Sequence, residues 1–198
     1  MGKIYVVLGK SASGKDTIYR LLRKRHPEIE PVVLYTTRPI RDGEVDGSTY
    51  HFISNSQMIS MNRNGEFIES RTYNVKDNQK WIYATRNDFD PNKDYITINT
   101  IIGFAKLTQT LKNMTIVPIY IYCSDLDRIT RAIMREKEEK NPNISEICRR
   151  FLSDEKDFDE THLRIAGIDS DHRFNNSLSV DETIDNIEIK IFLPESEK

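Results

Sequence analysis

Seven consecutive residues make the clearest chemical demand in this chain: Gly9-Lys10-Ser11-Ala12-Ser13-Gly14-Lys15, with the spacing G-x-x-x-x-G-K. A glycine-bearing turn lets successive backbone N–H groups converge on phosphate oxygens, and a helix starting there adds the positive end of its dipole. Lys15 supplies a point charge for the β- and γ-phosphates of a nucleotide. The residues expected to hold that nucleotide are Gly9, Ser11, Ala12, Ser13, Gly14, Lys15, Asp16 and Thr17. The position after the lysine is ordinarily Ser or Thr, a magnesium ligand, but here it is Asp16. Thr17, or a water held by Asp16, is the candidate to take over that role.

A second constellation narrows the chemistry. Thr36-Thr37-Arg38-Pro39-Ile40-Arg41-Asp42-Gly43-Glu44-Val45-Asp46-Gly47-Ser48-Thr49-Tyr50-His51-Phe52 resembles the guanylate kinase signature T-T-R-x-x-R-x-G-E-x-x-G-x-x-Y-x-F. The resemblance implies a phosphotransferase that moves the γ-phosphoryl group of ATP, with Mg2+, onto GMP and dGMP. It places Thr37, Arg38, Arg41, Glu44, Tyr50, Glu69, Tyr83, Thr85 and Asn99 against the acceptor nucleotide. Guanidinium forks and phenolic hydroxyls suit a phosphate dianion. The plainer alternative for Arg38 and Arg41 is a pair of exposed loop arginines balanced by Asp42, Glu44 and Asp46.

Base choice is expected to rest on Glu69, assisted by Thr85. Guanine presents N1–H and N2–H2 side by side, which one carboxylate accepts together, whereas adenine would leave it unpaired. The alternative for Glu69 is a solvent-facing strand carboxylate. Two departures from the family stand out. Ala84 replaces a glycine after Tyr83, and Ile96-Thr97-Ile98-Asn99 carries neutral groups where the family has Asp-x-Asp. The stretch 71–79 is longer than in typical members and either adds contacts to the acceptor or lengthens a hairpin.

Phosphoryl transfer needs alignment and cations around the equatorial oxygens more than covalent help. By resemblance Arg131, Arg135 and Arg150 provide these cations from a closing lid, and with Lys15 and Arg38 they complete the catalytic set. Arg128, Arg131 and Arg135 recur at helical spacing, so a shared face is natural. The competing reading is a salt-bridged helix with Asp127, Glu136 and Glu138 as neighbours.

The elements that must position these residues are legible from hydrophobic pattern. Residues 3–8 are nearly continuous in hydrophobicity, as in a strand buried on both faces. A helix follows from residue 15, then a second strand over 32–35. Short alternating segments at 50–53, 67–72 and 80–84 predict a small antiparallel insert, with a capping box at 54–57 starting a short helix. Strands over 95–98 and 114–122 alternate with helices over 103–111 and from 124 to about 137. A charged loop covers 136–143, a further helix 144–158, a strand 173–176, and a last short helix follows Ser179. The expected fold is α/β: a P-loop NTPase-type parallel sheet core with an antiparallel GMP-binding insert and a helical lid. One domain is expected, with core segments 1–35, 94–135 and 147–198, an insert at 36–93 and a lid at about 136–146.

Composition sets outer bounds. Within 198 residues, 29 Lys and Arg stand against 31 Asp and Glu, a formal charge of -2, so nothing attracts nucleic acid or an anionic membrane in general. Cys123 and Cys148 form neither a zinc pattern nor a disulfide framework. The initial apolar run is too short for a signal peptide, and no stretch approaches the ~20 apolar residues of a membrane span. A cytoplasmic monomer or homodimer is expected. The alternatives are a related kinase acting on another phosphate-bearing acceptor, such as a ribose phosphate, and a guanylate-kinase-like binding module weak in catalysis.

Overall fold

A computed structural model describes residues 1–48, 50–74, 79–177 and 179–193. The chain forms two sheets. The first is a five-stranded parallel sheet of β1 (Lys3–Leu8), β2 (Glu30–Pro31), β7 (Tyr95–Ile98), β8 (Thr115–Tyr122) and β9 (Arg173–Asn175). Its spatial order is β2-β7-β1-β8-β9. The chain leaves β1 for one edge, returns through β7, and crosses β1 to build the other edge. The carboxyl end of β1 therefore lies where the order reverses, the place at which open α/β sheets receive ligands.

The run over 3–8 is buried on both faces, as its composition demands. Ile4, Val6 and Leu8 pack on one side with Ile101, Phe104, Leu107 and Leu163. Tyr5 and Val7 pack on the other with Ile18, Leu22, Ile184 and Ile187. Each such aliphatic side chain stabilises the fold by about 1.5–3 kcal/mol on burial. The helices that bring these residues are α1 (Lys15–Arg25) and α7 (Val180–Ile187) on one face, and α3 (Ile101–Thr110) and α6 (Glu160–Ile165) on the other.

The second sheet has the order β4-β3-β6-β5, from β3 (Leu34–Thr36), β4 (Tyr50–Phe52), β5 (Phe67–Asn74) and β6 (Lys80–Arg86). Two expectations change here. The single strand foreseen over 32–35 gives way to two short ones: Glu30 and Pro31, just before it, pair with β7 in the core, while Leu34–Thr36 joins the second sheet. The insert is also mixed, since β3 pairs parallel with β4 and antiparallel with β6. The signature between β3 and β4 is a long loop that returns the chain to start β4 in the same direction, which a tight hairpin cannot do. The stretch 71–79 lengthens a hairpin, with Asn74 opposite Lys80; residues 75–78 of it lie outside the described residues, as does Thr49 of the signature.

The capping box at Ser54 is present: its hydroxyl accepts from the Gln57 N–H at 3.2 Å, the Gln57 side chain accepts from the Ser54 N–H at 2.9 Å, and α2 (Asn55–Arg63) follows. Ser124 likewise caps α4 (Asp125–Lys137), accepting from the Asp127 N–H at 3.1 Å. Asn143 caps α5 (Ile144–Asp157). The short helix α6 and the 3₁₀ turn Ser170–His172 were not foreseen, because the few apolar residues between 160 and 172 show no clear period.

Candidate active site

The glycine loop leaves the carboxyl end of β1 and enters α1. Gly14 sits at φ +95°, and a Cβ there would lie 2.1 Å from the side-chain nitrogen of Asn176. Only glycine satisfies both conditions, the first from backbone sterics and the second from contact. Ala12 also takes a positive φ, of 60°, so the loop carries local strain of the kind that gathers at functional sites. Ser13 is fully buried, and its hydroxyl has no partner among the described residues. Lys15 occupies the first turn of α1 with its ammonium 3.7 Å from the exposed Asp16 carboxylate. The Thr17 N–H donates to Gly14 O at 3.0 Å, closing the first turn.

The signature loop builds a guanidinium clamp. Arg38 is buried, at 4% exposure. Its Nη1 donates to Glu44 Oε2 at 2.9 Å and its Nη2 to Glu44 Oε1 at 2.7 Å, a fork-to-fork pair. The rings of Tyr50 and Phe52 each lie 5.3 Å from its guanidinium carbon. The Arg38 hydrogen bonds draw the Glu44 carboxyl down to about 2, with help from the Arg41 N–H, which donates to it at 2.8 Å. Glu44 thus holds the clamp in shape. Thr37 is a fastener of the same kind: its N–H donates to Ile82 O, and its hydroxyl accepts from the Ile82 N–H, each at 3.0 Å. The Arg41 side chain is exposed. Tyr50 and Tyr83 meet edge to face at 5.6 Å, and burial pushes the Tyr50 hydroxyl above the usual phenol range. Arg38 is therefore no exposed loop arginine balanced in solvent.

Glu69 is not a solvent-facing strand carboxylate either; it is 8% exposed. Thr85 donates to its Oε1 at 2.6 Å, and Arg71, two residues along the same strand face, donates to the same oxygen at 3.2 Å. Arg71 Nη1 reaches Thr100 Oγ1 at 3.4 Å. Asn99 lies beside Thr100 at the carboxyl end of β7, with its N–H donating to Val7 O at 3.1 Å. This line of contacts runs from Glu69 to within two residues of the glycine loop. Thr97 is buried, its hydroxyl donating to Ile98 O at 3.3 Å.

The arginines expected on a lid divide. Arg131 comes to the loop: its Nη2 donates to Asn176 O at 2.9 Å, and its Nη1 lies 3.9 Å from the place a Gly14 Cβ would take. Arg135 is exposed one turn further along α4. Arg150 donates to Glu146 Oε1 at 2.7 Å on the exposed side of α5, next to Arg149. Neither Arg135 nor Arg150 bonds the loop among the described residues.

Arg128 does reach the loop, donating from Nε to Ser11 O at 3.2 Å, and it is 1% exposed. Its other partners are Asp125, Asp154 and Glu155, and Glu155 also accepts from Lys10 at 2.7 Å. Sequence reasoning missed Asp154, Glu155 and Asn176 as neighbours of the loop. The first two fall in the helix foreseen over 144–158 and the third ends the strand foreseen over 173–176, and no motif marks any of them. Among the described residues no cluster of three His, Cys, Asp or Glu side chains could hold a metal. Neutral hydroxyls at the loop include the orphaned Ser13 Oγ and that of Thr17, in the first turn of α1.

Comparison with known proteins places this geometry. Residues 1–165 match the family profile described as guanylate kinase. A guanylate kinase from Trichormus variabilis is 44% identical over 168 residues, covering 85% of this chain and 83% of that protein. One from Chlorobium luteolum is 28% identical over 144 residues, 73% of each. A match of 44% identity to a guanylate kinase from Nostoc is confined to 72 residues, 36% of each chain. In three dimensions the crystal structure of guanylate kinase from Anaplasma phagocytophilum superposes with a TM-score of 0.60 at 19% identity, over 95% of this chain and 83% of that one, a likeness of fold. Profile, a relative matched over 83% of its length, and fold agree, and the chain belongs to the guanylate kinase family.

Proposed function

We propose that this protein transfers the γ-phosphoryl group of ATP to GMP, and to dGMP, giving ADP and GDP or dGDP. The observation that carries the acceptor is the buried Glu69 carboxylate, whose Oε2, ion-paired with Arg71 Nε at 3.0 Å, accepts no hydrogen bond from the described residues. A guanine N1–H and N2–H2 pair would satisfy it.

In this reading the loop amides, with Lys15, hold the β- and γ-phosphates of ATP, and Thr17 offers its hydroxyl to the Mg2+ that travels with them. That ion would supply charge neutralisation to the phosphates. Arg38, Arg41, Tyr50 and Tyr83 hold the acceptor phosphate. One of its oxygens attacks the γ-phosphorus in line, the bond to the β–γ bridging oxygen breaks, and the electron pair leaves with ADP. The transition state spreads charge over three equatorial oxygens. Arg131 already sits beside the loop to meet them, and Arg135 and Arg150 follow on lid closure. Residues 136–146 form the lid, 36–93 the acceptor-binding insert, and the rest the core. Closure excludes water that would otherwise hydrolyse ATP.

Among the described residues no helix is long and apolar enough to cross a membrane. We place the enzyme in the cytoplasm, as a monomer or homodimer that works on free nucleotides and not on nucleic acid. A coupled assay with GMP, dGMP, AMP, UMP and a ribose phosphate tests the acceptor. GMP and dGMP are expected to turn over at least about a hundredfold better than AMP in kcat/KM, with activity lost on chelating magnesium. A GMP rate no higher than that with AMP or the ribose phosphate contradicts the proposal.

A further inference from the structure

Two buried polar atoms lie side by side without a hydrogen-bond partner among the described residues, Glu69 Oε2 and Arg71 Nε, and a third, Asn99 Nδ2, belongs to the residue before Thr100, which Arg71 reaches. Glu69 is 8% exposed and Asn99 4%. Arg71 Nε lies only 3.0 Å from Glu69 Oε2, yet the two are out of line for a hydrogen bond. A guanidinium carries five N–H donors. Here one goes from Nη2 to Glu69 Oε1 and one from Nη1 to Thr100 Oγ1. The remaining donors and the carboxylate oxygen that accepts no hydrogen bond therefore lie side by side. A buried ion pair left partly satisfied is costly, and the cost is offset where a ligand completes it.

The pattern has a complement. Along its Watson–Crick edge guanine carries the 6-keto acceptor, then the N1–H donor, then the N2–H2 donor. Arg71 beside Glu69 offers donor, then acceptor, then acceptor. Adenine inverts the first two groups, with an amino donor at C6 and an acceptor at N1. We propose that Arg71 is a specificity-determining residue that donates to the 6-keto oxygen of the acceptor base while Glu69 accepts from N1–H and N2–H2. This rests on the GMP reading above. With Thr97 and Asn99 bringing no charge to this end of the site, Arg71 supplies the second selective contact beside Glu69. Its two anchors fix the fork: Glu69 on the same strand face, and Thr100 at the start of α3. A planar guanidinium presents such donors without further ordering.

The test pairs a residue change with an atom change in the substrate. kcat/KM is measured for GMP and for 6-thioguanosine monophosphate, whose sulfur is a weaker acceptor, with the wild type, Arg71→Met and Arg71→Lys. The wild type is expected to prefer GMP by about tenfold, the scale of one good base contact. In Arg71→Met that preference falls to within about twofold of unity, and Arg71→Lys, which keeps a charged donor, recovers part of it. If Arg71 only holds Glu69 in place, the two substrates lose rate by the same factor and the preference is unchanged, which overturns the proposal. A wild type that uses both substrates equally overturns it without any variant. A wild type that does not phosphorylate GMP at all defeats the parent reading instead, so the two failures are distinct.

Discussion

The Oδ2 atom of Asp154 accepts the backbone N–H of Ser11 at 2.7 Å, so a carboxylate from α5 holds one of the amides that the glycine loop presents to phosphate. The same oxygen also takes Arg128 Nη2 at 3.2 Å. A phosphate entering the loop must displace this carboxylate or tolerate its charge.

Asp154→Asn is accordingly expected to lower the KM for ATP about threefold to tenfold, the equivalent of roughly 1 kcal/mol. Steady-state kinetics at saturating GMP measures it. An unchanged or higher KM would mean that Asp154 leaves the loop without competing.

Arg128 is the hub that ties α4 and α5 to the loop, with its guanidinium carbon 4.6 Å from the Phe151 ring centre and three carboxylates around it. Removing a buried charge from such a cluster strands its partners. Arg128→Met is expected to destabilise the protein by about 3 kcal/mol in urea unfolding, and a loss below about 1 kcal/mol would show that the cluster is solvated in solution.

The Arg38–Glu44 pair has a pH signature. Arg38 draws the folded Glu44 carboxyl down to about 2, whereas an unfolded glutamate titrates near about 4.3. A depressed carboxyl stabilises the fold above its unfolded pKa, and that stabilisation is lost as pH falls toward the folded value. The difference in Tm between wild type and Glu44→Gln is therefore expected to hold steady from pH 7 to about 5 and to shrink as pH falls through 4 toward 2. A difference independent of pH across that window would remove the ionised pair from its stabilising role.

The two proposed phosphate sites are expected to separate kinetically. Lys15→Ala is expected to lower kcat by about 10²–10³ with little change in the KM for GMP. Arg41, whose side chain is exposed, is expected to act on acceptor binding: Arg41→Ala raises the KM for GMP about tenfold at similar kcat. The reverse assignment of effects would exchange the roles given to the two ends of the site.

Much of this was legible before any coordinates, for physical reasons. The glycine loop, the run over 3–8 and the caps at Ser54 and Ser124 are local: their backbone demands are met by neighbours in sequence. Arg38 and Glu69 were legible as candidates, the first through the signature and the second through the wider resemblance, but their burial was not, because the rings and strands that enclose them lie up to 14 and 16 residues away. What stayed hidden was long-range. The Asn176 contact with Ser13 spans 163 residues and the Asp154 contact with Ser11 spans 143. No periodicity announces a single polar side chain that meets a loop from the far end of the chain. The division of 30–36 between two sheets was hidden for a related reason: strand pairing is chosen by partners, and a short apolar run fits either sheet.

The account stands on a donor site at the glycine loop and an acceptor site at the Arg38 clamp that serve one reaction. Adenosine and guanosine joined 5′ to 5′ through five phosphates test this most directly, by titration calorimetry against ATP and GMP alone. Linking two true subsites makes the second contact intramolecular, and the account predicts binding at least about a hundredfold tighter than either nucleotide, reduced by excess GMP. A linked compound that binds no better than ATP, with GMP unable to compete, would contradict it.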